Sequence, residues 1–177
     1  RLPDFAGQMH ALADFRDRSA LLVVFTCGHC PFVRHIRGEF ARYAREYRAR
    51  GLAVVAINSN DLAAYPQDGP DGMRAEAAEL GYDFPYLLDE TQAVAKGYRA
   101  ACTPDFFLFD ADRRLVYRGQ FDSSRPGNGQ AVTGADLRAA TTAVLEGRTP
   151  RGQQTPSIGC NIKWKPGNEP DYTSPDL

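Results

Sequence analysis

Ala20-Leu-Leu-Val-Val-Phe-Thr-Cys-Gly-His-Cys-Pro-Phe32 is the stretch on which the fold turns. Ala20–Phe25 is continuously apolar and rich in β-branched residues, the pattern of a strand buried on both faces. Pro31 suits the first turn of a helix, where a missing N–H costs nothing. Beyond it Phe32, Ile36, Phe40, Tyr43, Ala44 and Tyr47 recur at spacings of three and four, which gives one apolar helical face with a stop at Gly51. The other face carries Arg34, Arg37, Arg42, Arg45, Arg48 and Arg50 and reads as a solvated surface. Leu52–Ile57 is a second buried strand. A strand–helix–strand unit of this kind is most simply parallel.

Working outward, Pro3–Arg18 reads as a short hairpin leading into the body. Asn58–Pro70 is polar and turn-rich, and Asn58-Ser-Asn-Asp61 follows a strand where α/β proteins tend to place ligands. Helices are predicted over Asp71–Gly81, Glu90–Tyr98 and Gly134–Leu145, with a short strand at Pro85–Leu88. Asp105–Asp110 and Leu115–Arg118 flank a turn at Ala111–Arg114 and predict an antiparallel pair. The fold class is α/β, a mixed central sheet flanked by helices. From Pro150 no period survives, and five of the chain's 12 prolines (Pro150, Pro156, Pro166, Pro170, Pro175) fall there. Ile158, Cys160, Ile162 and the only Trp, Trp164, argue that this segment folds back. The reading is one domain over 1–147 and an irregular tail over 148–177, docked on it.

With 177 residues, one core is expected. Lys+Arg 21 against Asp+Glu 22 gives a net charge of −1, so no basic surface for nucleic acid is expected. No apolar run approaches the roughly 20 residues of a membrane span. Four cysteines are too few to staple a chain this long, which makes them chemical rather than architectural. The expected setting is cytoplasmic. Because the chain begins at Arg1 without Met, that expectation leaves room for a removed signal peptide.

Cys27-Gly28-His29-Cys30 sits between a strand and a helix start. There, unpaired N–H groups and the helix dipole favour a thiolate, the reactive form of sulfur. Two intervening residues let the thiols close into a disulfide, a reversible two-electron switch. A protonated His29 would favour the thiolate further. Three other readings are weaker. A four-thiolate zinc site lacks a second paired motif, haem attachment needs His where Pro31 stands, and a two-residue loop makes a poor structural staple. No metal and no bound cofactor is expected.

These features resemble the thioredoxin superfamily: a buried strand, a Cys-x-x-Cys at a helix start, and a later Thr103-Pro104 before an antiparallel hairpin and a last helix. The N-terminal Leu-Pro-Asp-Phe-x-Gly and the extra helix between Asn58 and Leu88 resemble its peroxiredoxin, or redoxin, branch. Cys-Gly-His-Cys-Pro-Phe-Val-Arg-His, Asn-Ser-Asn-Asp, Cys-Thr-Pro-Asp-Phe-Phe-Leu-Phe-Asp and Gly-Cys-Asn-Ile-Lys-Trp-Lys-Pro-Gly-Asn-Glu-Pro resemble a group of bacterial peroxiredoxin-like proteins.

The resemblance implies thiol–disulfide oxidoreductase activity with Cys27 as exposed nucleophile, Cys30 as resolving thiol and His29 as tuning residue. Thr26, Thr103 and a cis Pro104 would form the docking surface for protein or small-molecule thiols and disulfides. A thioredoxin-type partner would supply electrons. Cys102 reads as a third redox thiol near the pair or as a small buried residue. Cys160 reads as a resolving thiol or a docked bystander.

The sequence departs from the family in three places. Thr26 stands where thioredoxins carry Trp, the Ala20–Phe25 strand lacks the usual buried acid, and Val23 and Cys27 replace the Pro and Thr of the peroxide-binding pattern. The alternatives are a thiol peroxidase, with Cys30 or Cys27 attacked by peroxide, and a non-enzymatic redox or metal-binding module.

Overall fold

The computed structural model describes residues 1–172. The chain opens with a hairpin, β1 (Leu2–Pro3) and β2 (Met9–His10), and a 3-10 turn over Leu12–Phe15. Then come β3 (Ala20–Phe25), α1 (Pro31–Arg48), β4 (Leu52–Asn58), a 3-10 turn over Pro66–Asp68, α2 (Pro70–Leu80) and β5 (Tyr86–Leu88). The second half holds α3 (Ala93–Tyr98), β6 (Cys102–Thr103), β7 (Asp105–Phe109), β8 (Leu115–Gly119), α4 (Ala135–Leu145) and β9 (Cys160–Asn161).

The central sheet has the order β5-β4-β3-β7-β8. β3 runs parallel to β4 and antiparallel to β7, so the sheet is mixed, as the order of elements in the sequence predicts. Alternation along β3 divides the core in two. Leu22 and Val24 face Ile36, Phe40 and Tyr43 of α1, Met73 of α2 and Leu137 of α4. Leu21, Val23 and Phe25 face Ala95 and Tyr98 of α3, with Phe15, Ile162 and Trp164 beside them. Both faces of β3 are therefore dry, which is why its sequence does not alternate. Among the described residues, no helix is long and apolar enough to cross a membrane.

Two elements differ from the sequence reading, each for a local reason. α3 starts at Ala93 rather than Glu90, because Gln92 adopts a left-handed conformation (φ 62°) and its fully buried amide is used elsewhere. The Asp89 carboxylate instead accepts from the Val94 and Ala95 N–H groups and caps the helix. The arginine face of α1 is only partly solvated. Arg37 pairs with Glu79, Arg45 donates to the Leu80 carbonyl and Arg48 pairs with Asp83, which ties α1 to α2 and the turn after it.

The segment after Arg148 runs back across the sheet's end. The Gln120 N–H donates to the Thr155 carbonyl, and β9 pairs antiparallel with β6 (Thr103 opposite Cys160). Ile162 is buried in the core of the α3 face. Gln92 clamps the next residues: its amide donates to the Ser59 and Lys163 carbonyls and its oxygen accepts from the Lys165 N–H. The Tyr172 hydroxyl donates to the Ala100 carbonyl.

Candidate active site

The end of β3 delivers Thr26 and Cys27, and Cys30 is the N-cap residue of α1. Thr26 is buried, and its N–H extends the β3–β4 ladder to the Ile57 carbonyl at 2.9 Å, so it presents no open docking surface. Thr103-Pro104, a cis peptide, closes the other side. The Thr103 hydroxyl lies 3.5 Å from the Cys27 sulfur, and the Thr103 carbonyl accepts from the Cys30 thiol at 3.1 Å. All four cysteines are free thiols.

Burial corrects one expectation. Cys27 is not an exposed nucleophile: it is 1% exposed and Cys30 is 0% exposed. The tail is a large part of the reason. Cys160 packs with Phe32 against the cluster of Cys27, Cys30 and Val33. β9 also takes the backbone edge of Thr103, which is left 3% exposed, so the expected docking edge is already filled by the chain itself. Gly159 permits that approach. A β-carbon there would sit 2.0 Å from the Thr103 carbonyl oxygen.

The two motif thiols perturb one another's ionisation in opposite directions. The Cys30 thiol is held below the usual thiol range, chiefly because the Cys27 thiol donates to its sulfur; Cys160 and Thr103 assist and burial opposes. The Thr103 carbonyl, which accepts from the Cys30 thiol, favours its protonated form. Cys27 is raised by the same hydrogen bond, by burial and by the nearby Asp68 carboxylate. Cys160 is raised by burial and by its neighbour Cys30. Cys102 shares a short strand with Thr103 but points elsewhere. It faces a pocket lined by Asp105 and Arg118, donates to the Pro104 carbonyl at 3.6 Å and is pushed up by burial.

The acid missing from β3 is supplied from the segment after β4. The Asp68 side chain is completely buried, and its Oδ2 lies 2.5 Å from His29 Nδ1. The His29 ring stacks on Tyr65 at 5.1 Å. His29 is thus bound to a carboxylate instead of standing free beside the sulfurs. The Asn60 amide donates to Asp68 Oδ2, and the Asn58 amide donates to the Asp68 carbonyl. The Asn60 side-chain oxygen accepts from the Lys163 N–H, so Asn58–Asp61 joins the acid to the tail. Glu76 lies behind Gly28, takes a hydrogen bond from the Tyr86 hydroxyl and is held above the usual carboxylate range, chiefly by burial.

Sequence reasoning missed Asp68, Glu76 and Gln92. The one available signal was the density of Asn and Asp between 58 and 68 at a strand's carboxyl end. Cys27, His29 and Asp68 place donor atoms within 4.8 Å of one another, a set chemically suited to a divalent ion, although Asp68 Oδ2 already holds His29 and Asn60.

Comparison with known structures agrees with this architecture. The chain is 58% identical to a hypothetical protein from Sinorhizobium meliloti 1021, with a TM-score of 0.92, covering 94% of this chain and 91% of that one. It is 54% identical to an uncharacterized conserved protein from Geobacillus kaustophilus, with a TM-score of 0.91, covering 94% and 88%. A secreted disulfide oxidoreductase from Mycobacterium tuberculosis shares the fold alone, with a TM-score of 0.61 at 15% identity, covering 80% and 93%. No curated protein gives a match. Residues 1–118, which include both motif cysteines and the cis proline, match the AhpC/TSA family, and the chain therefore belongs to that family.

Proposed function

We propose that this protein is a thiol–disulfide oxidoreductase whose Cys27 and Cys30 cycle between dithiol and disulfide. The observation that carries the reading is the pair of free thiols at the start of α1, packed against Thr103 and the cis Pro104. In this reading Cys30, at the N-cap of α1 where the helix end favours a thiolate, attacks, and Cys27, beside the Asp68 carboxylate, resolves, the reverse of the order implied by the resemblance. The Cys30 thiolate displaces one sulfur of a substrate disulfide as a thiolate and forms a mixed disulfide. Cys27 gives up its proton, attacks the Cys30 sulfur and expels the second substrate thiolate. The substrate gains two electrons and the enzyme is left with a Cys27–Cys30 disulfide. A dithiol partner of thioredoxin type reverses the process, so no bound cofactor is needed.

Titration of the protein in glutathione buffers, followed by acid trapping and peptide mapping, tests this. A reversible Cys27–Cys30 disulfide and catalysed reduction of a disulfide such as that of insulin are expected. A motif that stays reduced in oxidised glutathione would defeat the reading. Asp68→Asn removes a negative charge beside Cys27, which favours the dithiol over the disulfide. The midpoint should therefore move to a more oxidising potential, by about 30 mV for each tenfold change in the equilibrium constant. An unchanged midpoint would separate the carboxylate from the pair.

The burial of both sulfurs favours a second reading, a thiol peroxidase. A small peroxide would oxidise the Cys30 thiolate to a sulfenic acid, and Cys27 would condense with it and release water. Peroxide consumption by the reduced protein distinguishes the two. It is fast and stoichiometric for the peroxidase and slow for the oxidoreductase.

A further inference from the structure

Three thiols, not two, meet at the start of α1. Cys27 and Cys30 are almost inaccessible, whereas Cys160 in the same cluster is only partly buried and comes from the surface strand β9. It packs against Cys27, Cys30 and Val33, and its backbone is held by the Thr103 pairing. The placement is over-determined. Gly159 allows close approach to the Thr103 carbonyl, Ile162 anchors the strand in the core, and Asn60 and Gln92 hold the Lys163 backbone. A bystander thiol needs none of this.

We propose that Cys160 is a third redox centre that carries the disulfide from the buried pair to the surface. This rests on the Cys27–Cys30 switch proposed above. In the oxidised protein the Cys160 thiol loses its proton to water and its sulfur attacks the Cys30 sulfur. The Cys27–Cys30 bond breaks, a Cys30–Cys160 bond forms, and Cys27 leaves as a thiolate that takes up a proton. No electrons are gained or lost in this rearrangement. A dithiol partner then attacks the Cys160 sulfur and expels the Cys30 thiolate. The partner's second thiol displaces Cys160, so the partner is oxidised and the enzyme fully reduced. While β9 is docked, an extended peptide has no free edge at Thr103, so reduction by a protein is directed to Cys160.

The test uses the whole chain carrying Cys102→Ser, oxidised with one equivalent of diamide, acid-trapped and mapped by mass spectrometry. With Cys27→Ser a Cys30–Cys160 disulfide is expected. If Cys27→Ser fails to fold, Cys27→Ala serves instead, with folding checked by circular dichroism. In Cys160→Ser the Cys27–Cys30 disulfide should still form. Its reduction by a purified thioredoxin should slow at least tenfold, while reduction by dithiothreitol slows less. Gly159→Ala, which must lift β9, should suppress the Cys30–Cys160 product. A folded Cys27 variant that forms no Cys30–Cys160 bond, or Cys160→Ser reduced by thioredoxin at the parental rate, would overturn the relay. Loss of the Cys27–Cys30 disulfide in folded Cys160→Ser would strike the underlying switch instead.

Discussion

Cys30→Ser is expected to abolish disulfide exchange, by roughly a thousandfold or more, because it removes the attacking sulfur. Cys27→Ser should behave differently. It keeps the Cys30 nucleophile and, once Cys160→Ser removes the neighbouring thiol that would displace the adduct, should still capture glutathione as a mixed disulfide, although turnover through the Cys27–Cys30 bond is lost. The asymmetry follows from the donors around Cys30 and from Asp68 beside Cys27. Ultraviolet thiolate absorbance supplies an independent reading. Reduced wild-type protein should show it at neutral pH and lose it on acidification, with a midpoint below the ordinary thiol value of 9.0. Cys30→Ser should lack that signal. In Cys27→Ala, which removes the donor to the Cys30 thiolate altogether, the midpoint should rise. If Cys27→Ser made together with Cys160→Ser loses all capture of glutathione while Cys30→Ser keeps it, the assignment of roles is wrong.

Phe40→Ala should be the most damaging core substitution on α1. The Phe40 ring lies 5.8–6.4 Å from those of Tyr43 on α1 itself, Tyr82 and Phe84 between α2 and β5, Phe106 of β7 and Phe121 after β8. Deleting a buried phenyl ring costs about 3–5 kcal/mol, through lost transfer energy and the cavity left behind. For a domain of this size that lowers Tm by roughly 10 °C. Calorimetry of the reduced protein would measure it. A fall of under about 3 °C would mean that the surrounding rings collapse into the gap.

The parts of the fold legible in the sequence are those with a strong period or a long apolar run. β3, α1 and β4 declare themselves because Leu21–Phe25 and Leu52–Ile57 are buried on both faces and α1 has one apolar stripe. The thiol pair is equally plain, since its chemistry depends on adjacent residues and a helix start. What stayed hidden depends on contacts across distance. Asp68 ends a three-residue 3-10 turn inside a polar stretch, and nothing local marks it as the acid that binds His29. Gln92 has helix-forming composition, yet it takes a left-handed conformation because its amide bridges Ser59 and the tail. β6 and β9 are two residues long, too short for any alternation to register, and only their pairing puts Cys160 beside Cys30.

The closure by β9 also has a consequence in time. Translation delivers residues in order, and Cys160 follows Cys30 by 130 positions. At about 5–20 residues per second, that interval lasts on the order of ten seconds. Throughout it the motif sulfurs have left the ribosome's active centre while their cover is still unmade. A newborn chain therefore meets cellular oxidants without the strand that shields the mature enzyme, and a bulky adduct acquired in that window would stand where Cys160 must land.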